Sequence, residues 1–209
     1  MRILINAGPT REKIDPVRFI SNRSSGKMGY SLAEAAISLG HEVTLVSGPV
    51  ELAKPEGLHK FLAIESAEEM ANVMKKEFPS CDLAVLCAAV ADYRPAHPCE
   101  QKMKKGEGNL FLELVRTEDI ALSLGKMKKP GQTLVGFAAE TEDLEKNALS
   151  KMRKKNFDFI AANQVGLPDR GFASDDNAIT LYRADGTKKE LLLKSKKELA
   201  GELLQEILR

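Results

Sequence analysis

The 209-residue sequence predicts an α/β fold, a doubly wound and mostly parallel sheet with an added β-hairpin. Three observations carry that expectation. Short apolar runs such as "RILINA", "DLAVLCAAV" and "TLVGFAAE" have the length and continuity of strands covered on both faces. Segments of helical periodicity separate them, so successive strands are joined by crossovers and run parallel. Near the C-terminus the alternation stops, and two extended runs flank Asp185-Gly186, a hairpin signal.

In chain order, "RILINA" is the first strand, closed by "GPT". A polar segment of little periodicity follows from Arg11 to Ser25 and contains Pro16. Met28, Leu32, Ala35, Ala36 and Leu39 recur at helical spacing, and Gly40 supplies the stop. "HEVTLVSGP" and "HKFLAI" are the next strands. Ser66 with Glu69 forms a capping box for a helix ending near Phe78. "DLAVLCAAV" is a fourth buried strand that breaks into "ADYRP"; "LFLELV" reads as a strand and "EDIALSLGKM" as a short helix. After "TLVGFAAE", residues Asp143 to Lys155 read as a helix and "FDFIAAN" as a strand. The hairpin strands are "NAITLYR" and "KKELLL", and Ser195 with Glu198 caps the closing helix.

Composition narrows the function. Thirty-one Lys and Arg against 30 Asp and Glu leave no net field to draw the chain to nucleic acid or an anionic membrane. No apolar run reaches the roughly 18 residues that span a bilayer. The opening strand shows no signal-peptide pattern, and three cysteines without a CxxC pair read as reduced thiols. These features predict a cytoplasmic protein with one domain over residues 1–209, whose 43% apolar content suits a substantial core.

In doubly wound sheets, ligands lie beyond the C-terminal strand ends, near the switch in strand order. There "GPTRE", "VADYRP" and "AAET" put polar groups straight after buried runs. "SSGKMG", with Ser24, Ser25 and Gly26, opens a helix whose free N–H groups suit an anion; it also suits close helix–sheet packing. It is not a Walker loop, since Met28 stands where Ser or Thr is needed, and it misses the dinucleotide fingerprint. Tyr30, Tyr93 and Tyr182 have Glu34, His97 and Gly186 four places on, so no Tyr-x-x-x-Lys pair exists. Arg18 and Asn22, four apart, would share one side of a helical turn. Lys102, Lys104 and Lys105 read either as a solvated run or as a mobile triphosphate lid beside Asp92. Phe137 alone reads as core, and Lys151 with Lys155 alone as a solvated helix face. His41, His59 and His97 are scattered; no zinc spacing and no Ser-His or Cys-His device stands out.

"NAGPTREKIDPVRFISNRSSGKMG", "AAVADYRP" followed by "KMKK", "TEDIA", "VGFAAET", "AANQVG" and "GFASDDNAITLY" together resemble the phosphopantothenate–cysteine ligase family of coenzyme A biosynthesis. The resemblance covers nearly the whole chain. It implies a Rossmann-like fold, a homodimer, and ligation of 4′-phosphopantothenate to L-cysteine. In that chemistry the carboxylate attacks the α-phosphorus of CTP, with ATP the alternative, in the presence of Mg²⁺. Pyrophosphate leaves, and the cysteine amine then displaces the nucleotide monophosphate. By the same resemblance Asn22 binds the acyl portion, Arg18 orients that segment, and Ser24, Ser25 and Gly26 lie on the substrate side. Leu86, Cys87, Ala88, Asp92, Glu118, Asp119, Ile120, Ala121, Phe137, Lys151 and Lys155 bind nucleotide. Lys102 both binds nucleotide and assists aminolysis. The family's Lys-Ile-Lys-Lys reads Lys-Met-Lys-Lys here, and Glu118 stands where proline is frequent. Members are often fused to a flavin-dependent decarboxylase; that half is not in this sequence, so FMN is not expected, and the chain is either a stand-alone ligase or an excised domain, with a decarboxylase as partner or as missing fusion half. The C-terminal hairpin and "LFLELV" are the expected partner surface. The resemblance names no metal ligands. Two other readings stay open: an NAD(P)-linked oxidoreductase and a non-catalytic nucleotide sensor.

Overall fold

β1 (Arg2–Ala7) is buried from Ile3 onward because it has parallel strands on both edges and helices on both faces. The computed structural model describes residues 1–140, 142–164 and 174–209. Parts of "VGFAAET", "AANQVG" and "GFASDDNAITLY" therefore lie outside the described residues.

The segment expected to lack regular structure holds a small antiparallel hairpin, β2 (Arg11–Lys13) with β3 (Phe19–Ser21). Strands this short give no periodic signal. They are held instead by Arg11 over the Phe19 ring at 4.6 Å and by the Glu12 carboxylate, which accepts from the Ala67 N–H at 2.9 Å. Helix α1 (Lys27–Ser38) follows, and Gly40, at φ 79°, closes it as expected. Then come β4 (Glu42–Ser47), β5 (Lys60–Ala63) and α2 (Ala67–Glu77). Ser66 caps α2 by accepting from Glu69 N–H, while the Glu69 carboxylate reaches back to the Glu65 N–H rather than that of Ser66.

β6 (Leu83–Leu86) is shorter than "DLAVLCAAV", and the expected break at "ADYRP" contains β7 (Tyr93–Pro95). β7 pairs with β8 (Leu114–Arg116), which is only the end of "LFLELV". The remaining elements are α3 (Ile120–Met127), β9 (Thr133–Glu140), α4 (Leu144–Lys154), β10 (Phe159–Gln164), β11 (Asp176–Arg183), β12 (Lys188–Ser195) and α5 (Lys196–Leu208). Gly186, at φ 89°, makes the predicted hairpin turn between β11 and β12.

Eight strands form one sheet in the order β12-β11-β10-β9-β6-β1-β4-β5, parallel from β10 to β5 and antiparallel at the added hairpin. α1 and α5 pack on one core, while α2, α3 and α4 pack on the other. This is the Rossmann-like, doubly wound plan. The chain runs from β1 out to β5, then crosses back to β6 on the far side of β1. The switch in strand order therefore lies between β1 and β6, and the loops leaving those strands open the crevice where such folds bind ligands. Among the described residues no helix is long and apolar enough to cross a membrane.

Candidate functional site

At the switch point the loops after β1 and β6 are bound to each other. Pro9 forms a parallel bridge with Ala89, whose N–H donates to Gly8 O at 2.9 Å. Beneath them Asn6, buried to 2% exposure, accepts from the N–H groups of Cys87 at 2.8 Å and Ala88 at 2.9 Å through one side-chain oxygen. A parallel strand that ends leaves N–H groups without a ladder partner, and a buried amide is the local remedy. Thr10 adds a second tie, accepting from Ala91 N–H at 3.0 Å, and Thr117 a third, donating to Ala91 O at 2.6 Å. The predicted nucleotide segment Leu86, Cys87 and Ala88 is thus a stiffened strand end, with Asp92 exposed a few residues beyond.

The predicted substrate loop meets this edge directly. The Asn22 amide donates to Ala89 O at 3.0 Å and Val90 O at 3.1 Å. Ser24 Oγ accepts from the Gly26 N–H at 3.3 Å, and Gly26, at φ 78°, is the N-cap of α1. A glycine cap has no side chain to offer, so the first-turn N–H groups of Lys27, Met28 and Gly29 are left for an anion. The close-packing reading of "SSGKMG" holds, since a Cβ on Gly29 would lie 2.5 Å from that of Ala7. Ser25 is half-buried in the same loop.

Arg18 and Asn22 do not share a helical turn as expected. They flank β3, and each reaches a different neighbour. Arg18 is paired with the buried carboxylate of Asp15 at 2.5 Å and donates to Met103 O at 3.1 Å. The lysine loop is accordingly not loose along its whole length: Cys99 N–H donates to Ile14 O at 2.8 Å, and Met103 N–H to Asp15 at 3.1 Å. Lys102 lies between those anchors with its side chain exposed.

Apart from Phe137, the remaining predicted nucleotide residues lie on or beside α3 and α4. Asp119 caps α3 by accepting from Leu122 N–H at 3.0 Å and pairs with Lys155 at 3.1 Å. Lys151 pairs with Glu140, at the end of β9, at 2.5 Å. Neither lysine is the solvated bystander that helical spacing alone implies. Glu118 is held by Lys75 at 2.7 Å and by Ser123, which keep its carboxyl below the ordinary range. Ile120 is buried at the start of α3 and Ala121 is half-buried beside it. Phe137 is half-buried inside β9, where it packs against the α1/α5 core. Among the described residues no three His, Cys, Asp or Glu side chains group as a metal site.

Sequence reasoning passed over Asn6, Thr10, Asp15 and Glu12, all buried polar residues. Their signal is a polar residue inside or just after an apolar run, which marks a partner without identifying it.

The whole chain, residues 1–209, matches the family described as DNA/pantothenate metabolism flavoprotein C-terminal domain. It is 49% identical over 205 residues to the coenzyme A biosynthesis bifunctional protein CoaBC of Bacillus subtilis (strain 168), covering 98% of this chain and 50% of that protein. The chain spans about half the length of the curated relatives it matches. A crystal structure of the C-terminal domain of CoaBC superimposes with a TM-score of 0.83 at 47% identity, covering 99% of this chain and 93% of that one. A Cab2 variant in complex with phosphopantothenate-cysteine shares the fold, with a TM-score of 0.78 at 15% identity, over 99% of this chain and 85% of its own. The protein belongs to the DNA/pantothenate metabolism flavoprotein C-terminal domain family.

Proposed function

We propose that this chain ligates 4′-phosphopantothenate to L-cysteine through an acyl-nucleotide intermediate. One observation carries the reading: Asn22 ties the anion-ready entrance of α1 to the strand end after β6. Two anion-binding elements then meet at one switch point, as a reaction between a phosphorylated acid and a nucleoside triphosphate requires. The CoaBC relatives, coenzyme A biosynthesis proteins by name, agree with it.

A carboxylate is a poor acyl donor because oxide cannot leave. Its attack on the α-phosphorus of a nucleoside triphosphate forms a mixed anhydride and expels pyrophosphate; the cysteine amine then attacks the acyl carbon, forming the amide and expelling the monophosphate. Such a site needs positioned cations and N–H donors more than a covalent nucleophile. The α1 entrance, with Ser24, Ser25 and Gly26, holds the phosphorylated acid, and Arg18 and Asn22 orient its acyl end. The 86–88 strand end, Asp92, the α3 entrance at 118–121, Phe137, Lys151 and Lys155 hold the nucleotide, with Lys102 over the phosphates. CTP is the nucleotide we favour over ATP. Mg²⁺ would be held by the oxygens of the triphosphate and by water, as a hard ion prefers, since lysines and backbone N–H groups offer it no ligand.

Exposed apolar residues mark the partner surface of a homodimer: Phe111 is 87% and Leu192 73% exposed, with Leu110, Leu112, Leu114 and Leu193 nearby in sequence. The test is incubation with 4′-phosphopantothenate, L-cysteine, Mg²⁺ and either CTP or ATP while pyrophosphate is followed. Ligated product with stoichiometric pyrophosphate supports the reading. Nucleotide binding without pyrophosphate release leaves a sensor, and absorbance change of a nicotinamide cofactor points to an oxidoreductase.

A further inference from the structure

The turn between β2 and β3 holds a carboxylate that the proposed reaction does not use. Asp15 is 2% exposed, yet it takes five donors. One oxygen accepts from the N–H groups of Val17 at 2.8 Å and Arg18 at 2.9 Å. The other accepts from Arg18 Nε at 2.9 Å, Arg18 Nη2 at 2.5 Å and Met103 N–H at 3.1 Å. Arg18 Nη2 then closes a ring by donating to Met103 O at 3.1 Å. Both backbone polar groups of Met103 are thus gripped by one ion pair, 85 or more positions away in sequence.

A buried carboxylate is costly unless its lone pairs are used, and it gives rigidity when they are; the Asp15 side chain is fully buried while that of Arg18 is 44% exposed. Here the Arg18 guanidinium holds the Asp15 carboxyl well below the usual carboxylate range, so the pair stays charged at any working pH. The residue it grips directly follows Lys102, and the same arginine precedes Asn22 by one short strand.

We propose that Asp15 is a positioning residue: through Arg18 and Met103 it sets where Lys102 stands relative to the Asn22 loop. This rests on the ligase reading for its catalytic consequence, while the anchor itself does not. Without the anchor, Lys102 samples many positions, and each mispositioned state is lost to catalysis.

The test is Asp15→Asn, which keeps the shape but sets an amide donor against Arg18 or Met103. Amide exchange by mass spectrometry or NMR is read at Cys99 and Met103, with Ile5 and Val85 in the sheet as internal controls. Exchange at Met103 is expected to quicken about tenfold or more while the controls hold, and turnover to fall about tenfold or more with a smaller change in KM. Unchanged exchange at Met103, faster exchange of all four amides together, or faster Met103 exchange with wild-type turnover each overturns the proposal. If Asp15→Asn does not fold, wild-type exchange decides: a Met103 amide no slower than that of Lys104 overturns the anchor, and one markedly slower supports it. A wild-type protein that releases no pyrophosphate sinks the ligase reading and the catalytic role with it, and exchange still judges the anchor.

Discussion

Asn22 and Ala89, 67 positions apart, are joined by a hydrogen bond of 3.0 Å from the asparagine amide to the alanine carbonyl. Val90 O accepts from the same nitrogen. The amide therefore fixes the loop that enters α1 to the strand end, with its N–H edge turned to the two carbonyls. Asn22→Asp replaces that donor with a charge facing two carbonyl oxygens and the incoming anions. Misplacing a positioning group by about 1 Å can cost a hundredfold in rate, so ligated product and pyrophosphate are both expected to fall by about that factor. A pyrophosphate assay at saturating substrates checks it; wild-type turnover would remove Asn22 from its assigned role.

Lys102 stands on an exposed loop, as Asn22 and Asp92 do. Lys102→Gln keeps the length and removes the cation. Nucleotide KM should rise, and aminolysis should slow by about tenfold or more as the departing charge loses its partner. Rapid-quench measurement of acyl nucleotide and product separates the two half-reactions. Equal rates to wild type in both would show that Lys102 stands outside the chemistry.

How far the sequence was legible depended on range. The apolar runs of β1, β6 and β9 were visible because burial on both faces forces them to be continuous. The β11–β12 hairpin was visible because its turn needs a glycine at positive φ. The three-residue strands β2, β3, β7 and β8 were not, since each is shorter than any period and is held by contacts far along the chain. At the site, Asn22 and Lys102 came from resemblance to a family. Asp15 could not, because its meaning lies in a bond to Met103 that only the folded chain brings within reach. The ion pairs of Lys151 and Lys155 were hidden for the same reason: helical spacing shows which residues share a face, not what that face meets.

Asn6 supports the site from below. Asn6→Ala leaves the Cys87 and Ala88 N–H groups without their acceptor at a half-buried strand end. Each orphaned donor costs about 1–3 kcal/mol, so a loss of a few kcal/mol in unfolding free energy is expected. The shift should appear in the urea midpoint with little change in slope. In the proposed site, nucleotide affinity should fall as well, because Asn6 holds the backbone of residues 86–88 that we assign to the nucleotide. Weakened affinity without lowered stability would mean that Asn6 meets the ligand itself.

Cys87 stands in that strand end, and burial pushes its thiol from the ordinary 9.0 up to about 12. Its share in the site is thus backbone and packing, not thiolate chemistry. A group whose folded pKa is raised keeps its proton in the native state while the unfolded chain releases it. Between pH 9 and pH 12 the native state binds more protons, so this thiol lowers stability as pH rises, by up to about 1.4 kcal/mol per pH unit. Below pH 9 it contributes packing only. Cys87→Ala should therefore be less stable than wild type at pH 8, by about 1 kcal/mol for the lost contacts, and the gap should close and then reverse on going to pH 10 and beyond. Urea midpoints of the two proteins at pH 8, 9 and 10 measure that difference directly, since the other alkaline groups cancel in the comparison. A gap that does not change with pH would mean that the Cys87 thiol reaches solvent, and the strand end would then offer a side chain as well as a backbone to its ligand.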